Sequence, residues 1–146
     1  HIYDSDFIIC AEQEEQVHFI AAADNPVAGC SWKLSEISQN EFVLTEQAMS
    51  YRKILNETLA SQSLEIRPVL EIGNPLQICE LVKNSSLLSF LPDFISEKYV
   101  KDGQIKRLYV AGCPVTVWTQ LLLHKNKWRS PAINVFIEFY KEVMQR

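Results

Sequence analysis

The stretch VLEIGNPLQICELVKNSSLLSFLP, residues 69–92, decides the fold, because it reads as strand, helix and strand with each boundary marked. Val69–Ile72 is short, apolar at three of four positions and β-branched at both ends, which suits a pleated surface. Gly73 interrupts it. Asn74 is then a natural N-cap, Pro75 takes the first helical position, where a missing N–H costs nothing, and Gln77 stands at a capping-box spacing. Ile78, Cys79, Leu81 and Val82 supply the buried side of a helix over Pro75–Lys83. Leu87–Leu91 is strand-like again. Strand–helix–strand units with short connections imply parallel pairing and right-handed crossovers, the pattern of a layered α/β fold.

The alternation continues outward in both directions. Phe7–Cys10, Val17–Ala22, Phe42–Thr45, Ile105–Val110 and Thr116–His124 read as strands, several of them apolar nearly throughout, as for strands covered on both faces. A short helical turn falls near Leu34–Ile37. Tyr51–Ser61 places Ile54, Leu55, Thr58 and Leu59 on one face, with Ser50 positioned as its cap. Asp93–Val100 follows Pro92, and Pro131–Gln145 is opened by Ser130 and Pro131. Asp24–Gly29 and Ala111–Pro114 read as loops too short to be free linkers.

A chain of 146 residues, 47% hydrophobic and 22% charged, can bury one domain or two small lobes. Its net charge of −4 argues against binding nucleic acid through this piece. The nearest approach to a basic patch, His124, Lys125, Lys127 and Arg129, reads as a solvated turn. No apolar run is long enough to span a membrane and no secretory leader opens the chain, so a soluble, cytoplasmic protein with no membrane partner is expected. Cys10, Cys30, Cys79 and Cys113 form no C-x-x-C, and three of them lie in apolar segments where free thiols pack as small hydrophobes. The chain begins at His1 without an initiator methionine and reads as a piece of a longer protein.

Catalytic and cofactor signatures are lacking. There is no nucleophile elbow, zincin helix, Walker loop or dinucleotide fingerprint, and the four glycines are dispersed. His18 and His124 have no metal-ligand spacing and read as structural or surface histidines. Glu12, Glu14 and Glu15 read as a solvated run. No cofactor, no metal and no enzymatic activity are expected. The informative features are two strand-to-helix junctions, Thr45–Arg52 and Gly73–Asn74–Pro75. In parallel α/β folds such junctions face one crevice, and helix amino ends suit carboxylates and other anions.

The order and spacing of these segments resemble the effector-binding domain of LysR-type transcriptional regulators over nearly the whole chain. Val69–Asn74, Ile78–Lys83 and Leu88–Pro92 are similar to that family's central stretch. Ala23–Ala28 is similar to its loop before a short helical turn, here Ser35–Ile37, and Glu46–Arg52 to its ligand-facing helix entry. Gly103–Ile105, His124–Ala132 and Phe136 match its closing strand and helix. Two departures stand out. The family's Gly-x-Gly before the strand ending in Leu-Pro is replaced by Ser85 and Leu87, and Ala48 stands where glycine is common.

The resemblance implies an α/β, two-lobed, periplasmic-binding-protein-like (type II) effector domain. Residues 16–112 form its complete second lobe, and residues 1–15 and 113–146 form part of the first. A winged helix-turn-helix that binds DNA is expected upstream. The implied function is effector sensing for transcription, with a small anionic metabolite held between the lobes. Met49, Ser50 and Tyr51 would line the second-lobe side, Gly73 and Asn74 would offer backbone N–H groups, and Thr45 and Phe90 would form cleft walls. The implied partners are the effector, DNA through the upstream domain only, and further copies of the chain in a homodimer or homotetramer. A solute-binding protein of a transport system is the alternative, since it shares the two-lobed, hinged design.

Overall fold

A computed structural model of the chain describes residues 6–113 and 115–145. These divide into two units: one holds the residues up to Glu15 and those from Trp118 onward, the other Gln16–Val117. In chain order the elements are β1 (Phe7–Ala22), a 3-10 turn (Pro26–Gly29), β2 (Ser31–Trp32), α1 (Leu34–Ile37), β3 (Val43–Leu44), α2 (Ser50–Ser61), β4 (Leu70–Glu71), α3 (Pro75–Lys83), β5 (Ser89–Pro92), α4 (Asp93–Lys101), β6 (Ile105–Arg107), β7 (Tyr109–Val110), β8 (Val115–His124) and α5 (Pro131–Met144).

The sheets are mixed, which corrects the expectation of parallel pairing throughout. β1 runs antiparallel to both β5 and β6, with Phe19 opposite Phe90 and Ala22 opposite Ile105. Parallel pairing joins β2 with β7 and β3 with β4, and a single parallel bridge joins Phe42 and Leu88. Two strand boundaries also differ. Phe7–Cys10 and Val17–Ala22 are one 16-residue strand, and Glu12, Glu14 and Glu15 lie within it. Polar side chains alternating along a ladder satisfy strand geometry as well as apolar ones do, because the backbone carries the pairing. Ile105–Val110, expected as one strand, is two that pair with different partners. The Asp24–Gly29 loop contains the 3-10 turn, begun by Asn25, whose side chain accepts from the Val27 N–H. Pro114, assigned to a loop, lies outside the described residues.

The larger unit owes its stability to one core. Phe19, Phe42 and Phe90 meet ring to ring, Phe19 to Phe42 at 5.8 Å and Phe19 to Phe90 at 4.8 Å. Leu55 and Leu59 from α2 and Ile78, Cys79 and Val82 from α3 close the core from the helical side. Each fully buried side chain of this size contributes roughly 1.5–3 kcal/mol of transfer free energy. The turn between α3 and β5, where Ser85 and Leu87 replace two glycines, uses no left-handed backbone. The Ser85 hydroxyl instead donates to the Leu81 carbonyl at 2.6 Å and accepts from the Leu87 N–H at 3.2 Å. A side chain does there what permissive backbone angles do elsewhere.

In the smaller unit, α5 is started by Ser130, whose hydroxyl accepts from the Ile133 N–H at 3.2 Å, with Pro131 at the first position. Ile137 is buried, while Val135, Phe136, Phe139 and Val143 stand largely exposed. Such an apolar stripe on a helix costs solvation unless another surface covers it. The His124–Arg129 segment is an exposed turn, as expected.

Candidate functional site

The larger unit carries an edge built by the β3–β4 pair. Val43 lies opposite Leu70 and Leu44 opposite Glu71 in parallel register, and the Ile72 N–H donates to the Leu44 carbonyl at 3.0 Å. Parallel register carries both chains out at the same end. The segment 45–50 leading into α2 and the segment 72–74 leading into α3 therefore emerge side by side. Their proximity is direct: a Cβ added to Gly73 would lie 3.1 Å from Glu46 Oε1. Two helix amino ends, with unpaired N–H groups and partial positive charge, are thus held at one edge.

Of the residues expected here, Met49, Ser50, Gly73 and Asn74 lie on the half-buried or exposed rim. Asn74 caps α3, its side chain accepting from the Leu76 N–H at 3.0 Å. Ser50 does not cap α2. Met49 is the N-cap, in extended backbone with no side-chain bond, and Ser50 is the first helical residue. The first N–H groups of α2 therefore have no side-chain acceptor from the cap residue.

Thr45, Tyr51 and Phe90 sit behind that rim. Thr45 is buried and its carbonyl accepts from Arg52 Nη1 at 2.6 Å. Tyr51 is 5% exposed and its hydroxyl has no hydrogen-bond partner in bonding geometry among the described residues. Burial pushes the Tyr51 phenol up, and the neighbouring Thr45 side chain offsets part of that rise. Phe90 is 1% exposed and packs on Phe19, in the core rather than on a wall.

Sequence reasoning missed two polar clusters. His18 Nδ1 lies 2.6 Å from Asp93 Oδ1, and Arg107 reaches the same oxygen at 3.3 Å and Glu97 Oε2 at 2.7 Å. The Arg107 guanidinium holds the Glu97 carboxyl below the usual carboxylate range. On α3 and α4 the Tyr99 hydroxyl donates to Glu80 at 2.8 Å, and Lys83 sits 3.1 Å from the same side chain. That bond, with burial second, pushes the Tyr99 phenol up to about 12. Apart from Glu80 and Lys83, three residues apart on α3, these partners come from different elements and leave no local signal. All four cysteines are free; burial pushes the Cys79 and Cys113 thiols up to about 11, away from the reactive thiolate. Among the described residues no cluster of three or more His, Cys, Asp or Glu could hold a metal ion, and no helix is long and apolar enough to cross a membrane.

Comparison with known proteins agrees with this architecture. The family model described as the LysR substrate binding domain matches residues 2–145. An uncharacterized HTH-type transcriptional regulator, YwqM of Bacillus subtilis (strain 168), is 26% identical over 134 residues, covering 90% of this chain and 45% of that protein. The chain thus spans less than half the length of this curated relative. Among solved structures, the Synechocystis PCC6803 CcmR regulatory domain in complex with 2-PG superposes with a TM-score of 0.81 at 17% identity, over 97% of this chain and 68% of that one. The effector binding domain of QuiR in complex with shikimate gives 0.78 at 15% identity, over 98% and 68%. The fold, with its mixed sheets, is the periplasmic-binding-protein-like type II fold of these regulatory domains.

Proposed function

Because the chain belongs to the LysR substrate binding domain family, we propose that it is the effector-sensing part of a transcriptional regulator, a binding module rather than a catalyst. The observation that carries this reading is the parallel β3–β4 pair, which brings the amino ends of α2 and α3 to one edge. The α2 end lacks a side-chain cap and so keeps donors available for a small anionic ligand. Met49, Ser50, Gly73 and Asn74 contact the effector, and Thr45, Tyr51 and Phe90 support them from behind. Two similar domains each hold a small ligand, 2-PG in one and shikimate in the other. The family match favours a regulator over a transport solute-binding protein.

In this reading residues 16–112 are the second lobe, and residues 1–15 and 113–146 are part of the first. DNA is contacted by a separate domain of the longer, cytoplasmic protein. The exposed face of Val135, Phe136, Phe139 and Val143 supports self-association, so light scattering of the 146-residue chain should give a mass above the monomer's. The decisive test is the thermal midpoint of the full-length regulator against a panel of small carboxylates. A stabilising ligand is expected whose effect disappears in Ser50→Trp and in Asn74→Trp. A ligand whose effect survives both substitutions would remove the site from this edge.

A further inference from the structure

A second feature of the larger unit is a cavity of about 680 Å3 between α2 and the segment 64–71. Its volume is in the range of small-molecule sites. The wall contains Leu59, Ala60, Leu64, Ile66 and Pro68, and the polar end contains Arg52, Asn56 and Glu71. Arg52 is the unusual member. Its side chain is 4% exposed, yet it is incompletely neutralised. Nε donates to Asn56 Oδ1 at 3.3 Å, Nη1 donates to the Thr45 carbonyl at 2.6 Å, and the nearest carboxylate oxygen, on Glu71, is 3.6 Å away. Nη2 bonds no other described residue and is not buried, so it stays open to water. A ligand carboxylate that displaces that water fits the guanidinium fork in shape and charge.

A simple anion is not the best complement. Glu71 is 41% exposed beside Arg52, and Glu65 stands at the rim paired with Arg67 at 3.3 Å. The titratable groups lining the cavity are therefore two arginines and two glutamates. A carboxylate entering alone would meet Glu71 uncompensated. A carboxylate with an ammonium on the neighbouring carbon satisfies Arg52 and Glu71 together, and an apolar side chain then lies over Ala60, Leu64 and Pro68, the part of the wall that is not already buried. We propose that this cavity, which adjoins the helix-end edge at Gln47 and Arg52, is a second ligand site, and that it takes a zwitterionic α-amino acid with an apolar side chain.

L-leucine is the probe, with isocaproate as the same skeleton lacking the amine, and titration calorimetry on the full chain is the measurement. L-leucine is expected to bind roughly tenfold more tightly than isocaproate, the size of one charge-assisted contact. Glu71→Gln, at a half-exposed position, should erase that difference. Ala60→Trp, which fills the cavity from its exposed rim, should abolish binding with an unchanged thermal midpoint, and Ser50→Trp should leave it intact. The proposal is overturned if L-leucine does not bind, if isocaproate binds equally well, or if Ala60→Trp binds like the parent. It is also overturned if Ala60→Trp turns a dimer into a monomer in sedimentation while L-leucine has no effect, since a second copy would then fill the cavity.

Discussion

Replacing Phe90 by alanine tests whether this side chain is a core member or a ligand wall. The residue is 1% exposed, sits opposite Phe19 in the β1–β5 ladder and packs on its ring at 4.8 Å. Truncation removes the transfer free energy of the ring, leaves a cavity that the flanking strands fill only partly, and breaks the contact with Phe19. Phe-to-Ala changes in such cores cost about 3–5 kcal/mol, of which an aromatic pair accounts for about 1 kcal/mol. Against a domain stability of about 5–15 kcal/mol, this is a large fraction. Urea unfolding followed by far-ultraviolet circular dichroism should show the midpoint falling steeply with an unchanged slope. Phe90→Leu should cost about half as much. A loss below about 1 kcal/mol for Phe90→Ala would refute the core assignment, because a wall residue facing solvent gives up little on truncation.

Three further outcomes are expected. Asn74→Ala should destabilise by about 1 kcal/mol through loss of the α3 cap, whereas Ser50→Ala should change stability by less than about 0.5 kcal/mol in the same urea assay, because Ser50 caps nothing. The Tyr99–Glu80 bond raises one pKa and lowers the other, so Tyr99→Phe should flatten the stability profile at both ends. Its stabilisation is present between the unfolded carboxylate value near 4.5 and the unfolded phenol value near 10; it is lost as pH falls through the lowered Glu80 value or climbs toward about 12, and urea midpoints against pH read this directly. With a thiol reagent at neutral pH, exposed Cys30 should react first and Cys79 only on unfolding, as peptide mapping of the labelled chain would show.

Local chemistry was legible in the sequence and distant pairing was not. The α3 segment carries its own instructions in Asn74, Pro75 and an apolar face, and its bounds agree with the expected Pro75–Lys83. The length of β1 was hidden because its middle is acidic and amide-rich, while the strand it pairs with there, β8, lies about 100 positions away. Ser50 looked like a cap from residue type alone; the backbone turns helical one residue earlier than that reading requires, which gives the cap position to Met49. At the candidate site, the sequence named both junctions. It carried no signal that Thr45, Tyr51 and Phe90 lie behind the rim, or that the Glu46 carboxylate rests against Gly73, since both depend on the β3–β4 register.

The glycine-free turn at Ser85–Leu87 also affects the unfolded chain. A polypeptide with serine and leucine at these positions wanders over fewer backbone conformations than one with two glycines, so less disorder is surrendered when α3 is joined to β5, by about 0.4–1 kcal/mol per position. The gain is tied to one hydroxyl that accepts and donates at once. Ser85→Ala would keep the restricted coil but lose the latch, and Ser85→Gly would lose both, so the two variants separate what the turn contributes when folded from what it contributes when unfolded.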